Sequence, residues 1–328
     1  TLLCKILIGG HIKGRRGVNI PKSHLSISSL TKKDEDDVNF AIKNKIKYLA
    51  LSFVRNKEDI IKLKELLPKN YKPIIISKIE TEESLHNIEE ILNESDGIMI
   101  ARGDLAIETP RERVPLIQKE LTEKARLKGK IVIIATQMLE SMIDSPTPTR
   151  AEVSDIATAI FDGTDAIMLS GESANGHYPR EAVETMVNVA KTVDPFINKN
   201  YNSFQELSNN DYLRINSVSI AEKIKAKAII SITKTGYTPK ILSKFRTKIP
   251  IIAMTTNVNV LEETLLFRGI WPLLIDNNAR NLNELRTQIK DILFENKILK
   301  RKDNIVIVIC GIKFQKETEV NSILIETI

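Results

Sequence analysis

From about residue 47 the chain repeats a two-beat pattern. A short apolar run is followed by a longer stretch in which apolar residues recur every three or four positions. The runs fall at 47–52, 74–79, 97–101, 130–135 and 165–170, and the helical stretches between them cover 57–67, 84–93, 114–127 and 149–161. Near-continuous apolar strands alternating with helices predict a parallel sheet covered on both faces. Upstream, residues 2–8 read as a strand running into the Gly9-Gly10 turn, and Thr31 is placed to cap a helix that begins within 30–34.

Residues 195–211 are polar and lack apolar periodicity, which predicts a domain boundary. Beyond it the rhythm resumes, with helices at 215–224, 239–245, 258–266 and 282–294. Strands are predicted at 228–232, 250–254, 271–275, 305–310 and 323–325. Residues 210–328 therefore form a second, smaller α/β domain of ordinary size.

The polar residues that close the first five runs sharpen this picture. Ser52, Lys78 with Glu80, Arg102 with Asp104, Thr136, and Ser170 with Glu172 each follow a predicted strand. The C-terminal ends of parallel strands are where α/β barrels and open sheets bind ligands. One phrase occurs twice, as Ile74-Ile75-Ile76-Ser77-Lys78-Ile79-Glu80 and as Gly97-Ile98-Met99-Ile100-Ala101-Arg102-Gly103-Asp104. In each, an apolar run ends in two opposite charges two positions apart. Strand alternation sets Lys78 beside Glu80, and Arg102 beside Asp104, on one side.

Charges at the ends of strands this apolar must pair, bind a metal or meet a charged ligand. Glu80 and Asp104 offer hard oxygens with no His or Cys nearby, which suits Mg²⁺ or Mn²⁺. Each carboxylate can equally pair with its neighbouring cation. Lys78 is suited to neutralising an enolate or a transferring phosphoryl group, a role compatible with a resting ion pair to Glu80. Ser52, Thr136 and Ser170 add hydroxyl donors for an anion, although a single strand-end hydroxyl is usually a cap or a turn former.

Composition excludes more than it assigns. Lys and Arg number 48 against 42 Asp and Glu, the basic residues are spread along the chain, and aromatics make up 5%. That argues against a nucleic-acid stacking platform. Cys4 and Cys310 lie far apart, with no metal or disulfide spacing, which fits a reducing compartment. No apolar stretch is long enough to span a membrane. Four histidines, His11, His24, His86 and His177, show no spacing for a metal or a triad. The basic turn from Gly9 to Gly17 misses the Walker pattern, because Arg15-Arg16 stand where Lys and Ser/Thr are required.

Several of these runs, taken together, resemble the pyruvate kinase family. They are Lys78-Ile79-Glu80, Ile100-Ala101-Arg102-Gly103-Asp104-Leu105, Ala135-Thr136-Gln137-Met138-Leu139-Glu140-Ser141-Met142 and Pro148-Thr149-Arg150-Ala151-Glu152. Asp162 to Ala174, Gly17-Val18-Asn19-Ile20-Pro21 and Leu51-Ser52-Phe53-Val54-Arg55 match in the same order. The resemblance implies an incomplete TIM (β/α)8 barrel of about five of eight units, followed by the smaller α/β domain. Residues 1–24 would be the tail of a lid domain and its return linker, 25–195 the partial barrel, and 210–328 an effector and oligomerisation domain.

The activity implied is Mg²⁺-dependent phosphoryl transfer from phosphoenolpyruvate to ADP, giving ATP and pyruvate. By resemblance, Glu80 and Asp104 hold Mg²⁺ (or Mn²⁺), and Lys78 stabilises the enolate and the phosphoryl group. Gly103, Asp104 and Thr136 hold the substrate carboxylate, with Thr136 near the carbon that is protonated. Ser52 and Ser170 line the phosphate side, and Arg16 reaches the nucleotide. Thr233, Thr235, Gly236 and Thr238 match a turn that binds an effector phosphate in regulated members. K⁺ is implied too, with ligands outside this segment, as are a homotetramer and a cytoplasmic setting or, alternatively, a plastid-like organelle. No nucleic-acid or membrane partner is implied.

The sequence also departs from the pattern. Ala106 replaces a family Gly, Arg16 replaces a Lys, and the segment from Gly311 to Lys316 lacks the Gly-rich effector turn. The chain opens on Thr1 and reads as a fragment, expected to be inactive and poorly stable by itself. Two other readings stay open: a Mg²⁺-dependent barrel lyase or aldolase acting on pyruvate, and a non-catalytic relative.

Overall fold

A computed structural model describes residues 3–7, 9–10, 30–197, 209–276, 279, 281–300, 302–312 and 320–327. The first unit runs α1 (Lys32–Asn44), β1 (Tyr48–Leu51), α2 (Lys57–Glu65), β2 (Ile74–Ile79), α3 (Glu82–His86) and α4 (Ile88–Glu94). It continues with β3 (Gly97–Ala101), α5 (Arg102–Glu108), α6 (Val114–Leu127), β4 (Ile131–Ala135), α7 (Arg150–Phe161), β5 (Ala166–Met168), α8 (Gly171–Ala174) and α9 (Pro179–Val193). The second unit comprises α10 (Asn209–Lys223), β6 (Ala228–Ile232), α11 (Tyr237–Ser243), β7 (Ile251–Thr255), α12 (Val258–Thr264), β8 (Ile270–Leu274), α13 (Leu282–Glu295), β9 (Asn304–Ile312) and β10 (Val320–Thr327).

Strands β1 to β5 form one sheet in sequence order, every pairing parallel, as in the wall of an incomplete barrel. Alternation sorts its side chains cleanly. Ile75, Ile79, Ile98, Ile100, Val132 and Ile134 pack with helix residues such as Ile60, Ile91, Leu121 and Ile156. Ile74, Ile76, Met99, Ile131, Ile133 and Ala135 occupy the opposite face. Lys78 has the parity of Ile74 and Ile76, so it stands on the face turned away from the helices.

The second sheet has the order β10-β9-β6-β7-β8, with only the β9–β10 pair antiparallel. Its unit joins the first at the N-terminal ends of the barrel strands. Tyr48 Oη donates to the Glu262 carbonyl at 2.7 Å, and Arg126 Nη1 and Lys244 Nζ each donate to a carbonyl across the junction. Arg246 Nε donates to Gly163 O at 2.8 Å, while its Nη1 lies 3.0 Å from Asp165 Oδ1. Burial pushes the Arg268 guanidinium down to about 10, with Asp165 opposing the shift. The described residues of the second unit thus seal the base of the sheet, at the end opposite the rim.

Four expectations need correction. Residues 3–7 form no strand, and Leu3, Ile6 and Leu7 are largely exposed, because their backbone finds no ladder partner among the described residues. Arg102 and Asp104 do not extend β3; the chain turns into α5 at Arg102. The helix expected at 84–93 breaks at Asn87, whose side-chain amide donates to the Arg55 carbonyl. Helix α10 begins at Asn209, earlier than the 215 expected, with Arg214 paired to Asp211 in its first turns. The expected Thr31 cap is present as a full capping box.

Candidate active site

Each polar residue that closes a strand of the first sheet lies at the same rim, because all five strands run parallel. At the β1 and β2 ends, Lys78 Nζ donates to Ser52 Oγ at 2.9 Å and lies 2.7 Å from Glu80 Oε1. The other carboxylate oxygen of Glu80 accepts from the Phe53 N–H at 2.6 Å. Phe53 has a left-handed φ of 53°, and the bend it makes after β1 brings that N–H to the carboxylate. Glu80 is almost wholly buried, whereas the Lys78 side chain keeps a quarter of its surface exposed. A buried carboxylate needs such partners. Ser52, Lys78 and Glu80 therefore form one cluster.

A second cluster joins the β3 and β4 ends. The Gly103 N–H donates to Thr136 Oγ1 at 2.8 Å. A Cβ at Gly103 would sit 3.3 Å from that oxygen, a tight contact, so glycine eases the approach of α5 to the turn. Thr136 and Gln137 follow β4 with successive left-handed φ values of 67° and 55°. Such conformations cost on the order of 1–3 kcal/mol each in non-glycine residues and cluster at functional sites. The side chain of Asp104, partly buried on α5, makes no hydrogen bond or ion pair with any described residue. Arg102 turns away from Asp104 and pairs with Asp155 of α7 at 2.5 Å. It is a structural partner rather than a twin of Lys78.

Ser170 follows β5 but bonds to neither cluster. Its N–H donates to Glu172 Oε2 at 2.7 Å, and the fully buried Glu172 also accepts from the Leu139 N–H at 3.0 Å. Glu172 thus ties the β5 end to the segment after Thr136. The sequence marked it only as a strand-end acid. Asp155 carried no signal at all, since a lone Asp on a helix is normally solvated. Arg16, Gly17 to Pro21, His11 and His24 lie outside the described residues, as do Lys313 to Lys316. His86 and His177 are exposed. In the second unit, the Gly236 N–H donates to Thr233 Oγ1 at 2.9 Å in a turn where Gly236 has φ 74°, with Thr235 and Thr238 alongside.

Among the described residues no group of three or more His, Cys, Asp or Glu is placed to hold a metal. That excludes an all-protein cage there but not Mg²⁺, which commonly takes one or two carboxylates and completes its shell with water and substrate oxygens. The donor set fits that ion: oxygen only, with Asp104 unengaged and Glu80 beside Lys78.

A parallel α/β sheet carrying a lysine, two carboxylates and several hydroxyls on its C-terminal rim has the arrangement of a barrel-type enzyme, whose ligand sites lie at that end. The comparisons with known proteins make the assignment specific. Residues 1–183 match the family model "Pyruvate kinase, barrel domain" and residues 214–326 match "Pyruvate kinase, alpha/beta domain". The chain is 38% identical to a pyruvate kinase of Clostridium acetobutylicum over 337 residues, covering all of this chain and 70% of that protein. It is 41% identical to one of Clostridium perfringens over 320 residues (93% of this chain, 66% of that protein). Identity to one of Thermotoga maritima is 39% over 313 residues (94% and 66%). The chain belongs to the pyruvate kinase family. It spans 47 to 70% of the length of curated relatives that it matches.

Proposed function

We propose that this chain carries the catalytic rim of a pyruvate kinase, transferring a phosphoryl group from phosphoenolpyruvate to ADP to give ATP and pyruvate. The observation that carries the reading is the pair of clusters on one rim, Ser52–Lys78–Glu80 and Gly103–Thr136, with the unengaged Asp104 beside the second. The Lys78 ammonium offsets charge on the enolate oxygen and on the phosphoryl group in flight, where a fixed charge is worth most. Backbone N–H groups at Gly103 and Asp104 and the Thr136 hydroxyl hold the substrate carboxylate. Thr136 also stands near the carbon that takes a proton. Ser52 and Ser170 donate on the phosphate side, and Arg16 reaches the nucleotide.

Glu80 and Asp104 would hold Mg²⁺ or Mn²⁺, which supplies fixed positive charge beside the phosphoryl oxygens. The Thr233–Thr238 turn offers hydroxyls and amides for an effector phosphate. K⁺, a homotetrameric assembly and a cytoplasmic setting complete the reading by analogy with the family. Among the described residues no helix is long and apolar enough to cross a membrane. A barrel lyase or aldolase acting on pyruvate is not favoured, because the appended α/β unit matches the same family as the barrel.

The test is ATP formation from phosphoenolpyruvate and ADP by the complete gene product, with Lys78→Met as the control. Loss of a positioned charge at a transferring group costs about 10²–10³ in turnover. An unsubstituted protein no faster than Lys78→Met would defeat the proposal.

A further inference from the structure

Two adjacent residues of α5 grip the strained turn after β4. Gly103 donates its N–H to the Thr136 hydroxyl oxygen, as described above. Arg102, 7% exposed, donates from Nη2 to the Thr136 carbonyl at 2.9 Å and to the Gln137 carbonyl at 3.1 Å. In an extended continuation of β4 these carbonyls would point to opposite sides. The left-handed turn is what lets one guanidinium nitrogen hold both. Arg102 Nη1 is anchored in turn by Asp155 Oδ1 at 2.6 Å. The same placement leaves the buried Arg102 Nε without a partner among the described residues. A guanidinium aimed at two carbonyls at the expense of its own Nε calls for an explanation beyond packing.

We infer that Arg102, oriented by Asp155, is a positioning residue for Thr136. It keeps the turn left-handed. With the turn held, the Thr136 hydroxyl is fixed at the rim beside Gly103, where both can turn to the substrate carboxylate. A lysine cannot replace it, because an ammonium lacks the planar fork that meets two carbonyls and a carboxylate together. The inference rests on the proposed function, in which Thr136 lies against the carbon that is protonated.

The experiment uses the complete gene product with Arg102→Lys, Asp155→Asn, Thr136→Val and the two double variants. The reaction readout is exchange of pyruvate methyl protons with solvent deuterium, which reports proton delivery apart from phosphoryl transfer. Arg102→Lys and Asp155→Asn should each lower exchange about tenfold or more and leave the KM for ADP within about twofold. On the Thr136→Val background either should cost little further, because residues that act through one another are non-additive. A crystal structure of either variant should show Thr136 leaving its left-handed φ.

If the double-variant losses equal the product of the single ones, or if Thr136 keeps its left-handed φ, the inference is wrong. Should Arg102→Lys fail to fold, Asp155→Asn, whose side chain is 37% exposed, decides the matter alone. If the unsubstituted protein shows neither exchange nor ATP formation, the proposed function fails, and the Thr136 conformation in the variants still decides the clamp.

Discussion

Asp165→Asn tests how the base of the barrel is held. The Asp165 side chain is 1% exposed and engaged on both oxygens. Oδ2 accepts from the Val132 N–H of β4 at 3.0 Å, while Oδ1 accepts from the Arg268 N–H at 3.1 Å and faces Arg246 Nη1 at 3.0 Å. Asparagine is nearly isosteric, but one of its oxygens becomes an NH₂ donor. In either flip that donor faces another donor, and Arg246, itself 5% exposed, loses its counter-charge. Removing one partner of a buried pair costs about 3–5 kcal/mol, chiefly through the uncompensated charge left behind. At about 2–4 °C per kcal/mol for a protein of this size, the thermal midpoint should fall by roughly 6–20 °C. Urea unfolding gives the free energy, and hydrogen exchange at the Val132 and Arg268 amides reports the site directly. Combining Asp165→Asn with Arg246→Met should recover much of the loss, since an apolar replacement leaves no stranded charge. A loss below about 1 kcal/mol, or a double variant as damaged as the single one, would refute the reasoning.

Other outcomes follow from local geometry. Gly97→Ala puts a Cβ 2.7 Å from Ile131 Cβ and 2.8 Å from the Ile131 carbonyl oxygen, both fixed parts of β4. The cost should approach the upper end of the usual overpacking range, about 1–3 kcal/mol, read as a fall in thermal midpoint of roughly 4–12 °C. Thr149→Ala removes the hydroxyl that accepts from the Glu152 N–H in the α7 capping box and should cost about 1 kcal/mol by urea titration. Burial raises the Glu152 carboxyl, but hydrogen bonds from Ser141 and Thr149 outweigh it and hold the group below its ordinary 4.5. Its folded value being depressed, Glu152 contributes stability that is present above its unfolded value and fades as pH falls through the folded one. Glu152→Gln should flatten that stretch of the acid-unfolding curve.

The parallel sheet was legible because its strands are nearly pure Ile, Val, Leu and Ala, a pattern that sheet burial on both faces enforces. The rim was legible for a related reason: in strands so apolar, Lys78, Glu80 and Thr136 stand out. What the pattern hid was the change of element at residue 102. Two charges two apart read as strand continuation, whereas α5 starts there and sends Arg102 toward Asp155 and Gly103 toward Thr136. Propensity could not show this, because Arg-Gly-Asp-Leu-Ala has no cap signal, and Ala101 gives α5 no side-chain cap. The consecutive left-handed residues Thr136 and Gln137 were equally invisible. A β-branched residue is a poor candidate for positive φ, and the contacts from Arg102 and Gly103 of α5 that accompany it are tertiary.

A second repetition in the sequence belongs to the other end of the sheet. Asp96-Gly97-Ile98-Met99-Ile100 and Asp165-Ala166-Ile167-Met168-Leu169 each place an aspartate one residue before a strand. Asp96 Oδ2 accepts from the Ile75 N–H at 2.9 Å, as Asp165 Oδ2 does from Val132, and the Asp96 and Asp165 N–H groups donate back to the Ile75 and Val132 carbonyls. Each aspartate therefore closes the ladder where two parallel strands begin and satisfies an amide that the ladder itself leaves free. The two repetitions overlap in 97–100 yet serve opposite ends of the strand. The carboxylate before it fixes register at the base, where the second unit docks on Asp165, and the charges after it face the rim. With register fixed from below, Lys78 on β2 and Thr136 after β4 are presented at the rim at a set height, and a few hydrogen bonds and one strained turn suffice to aim them.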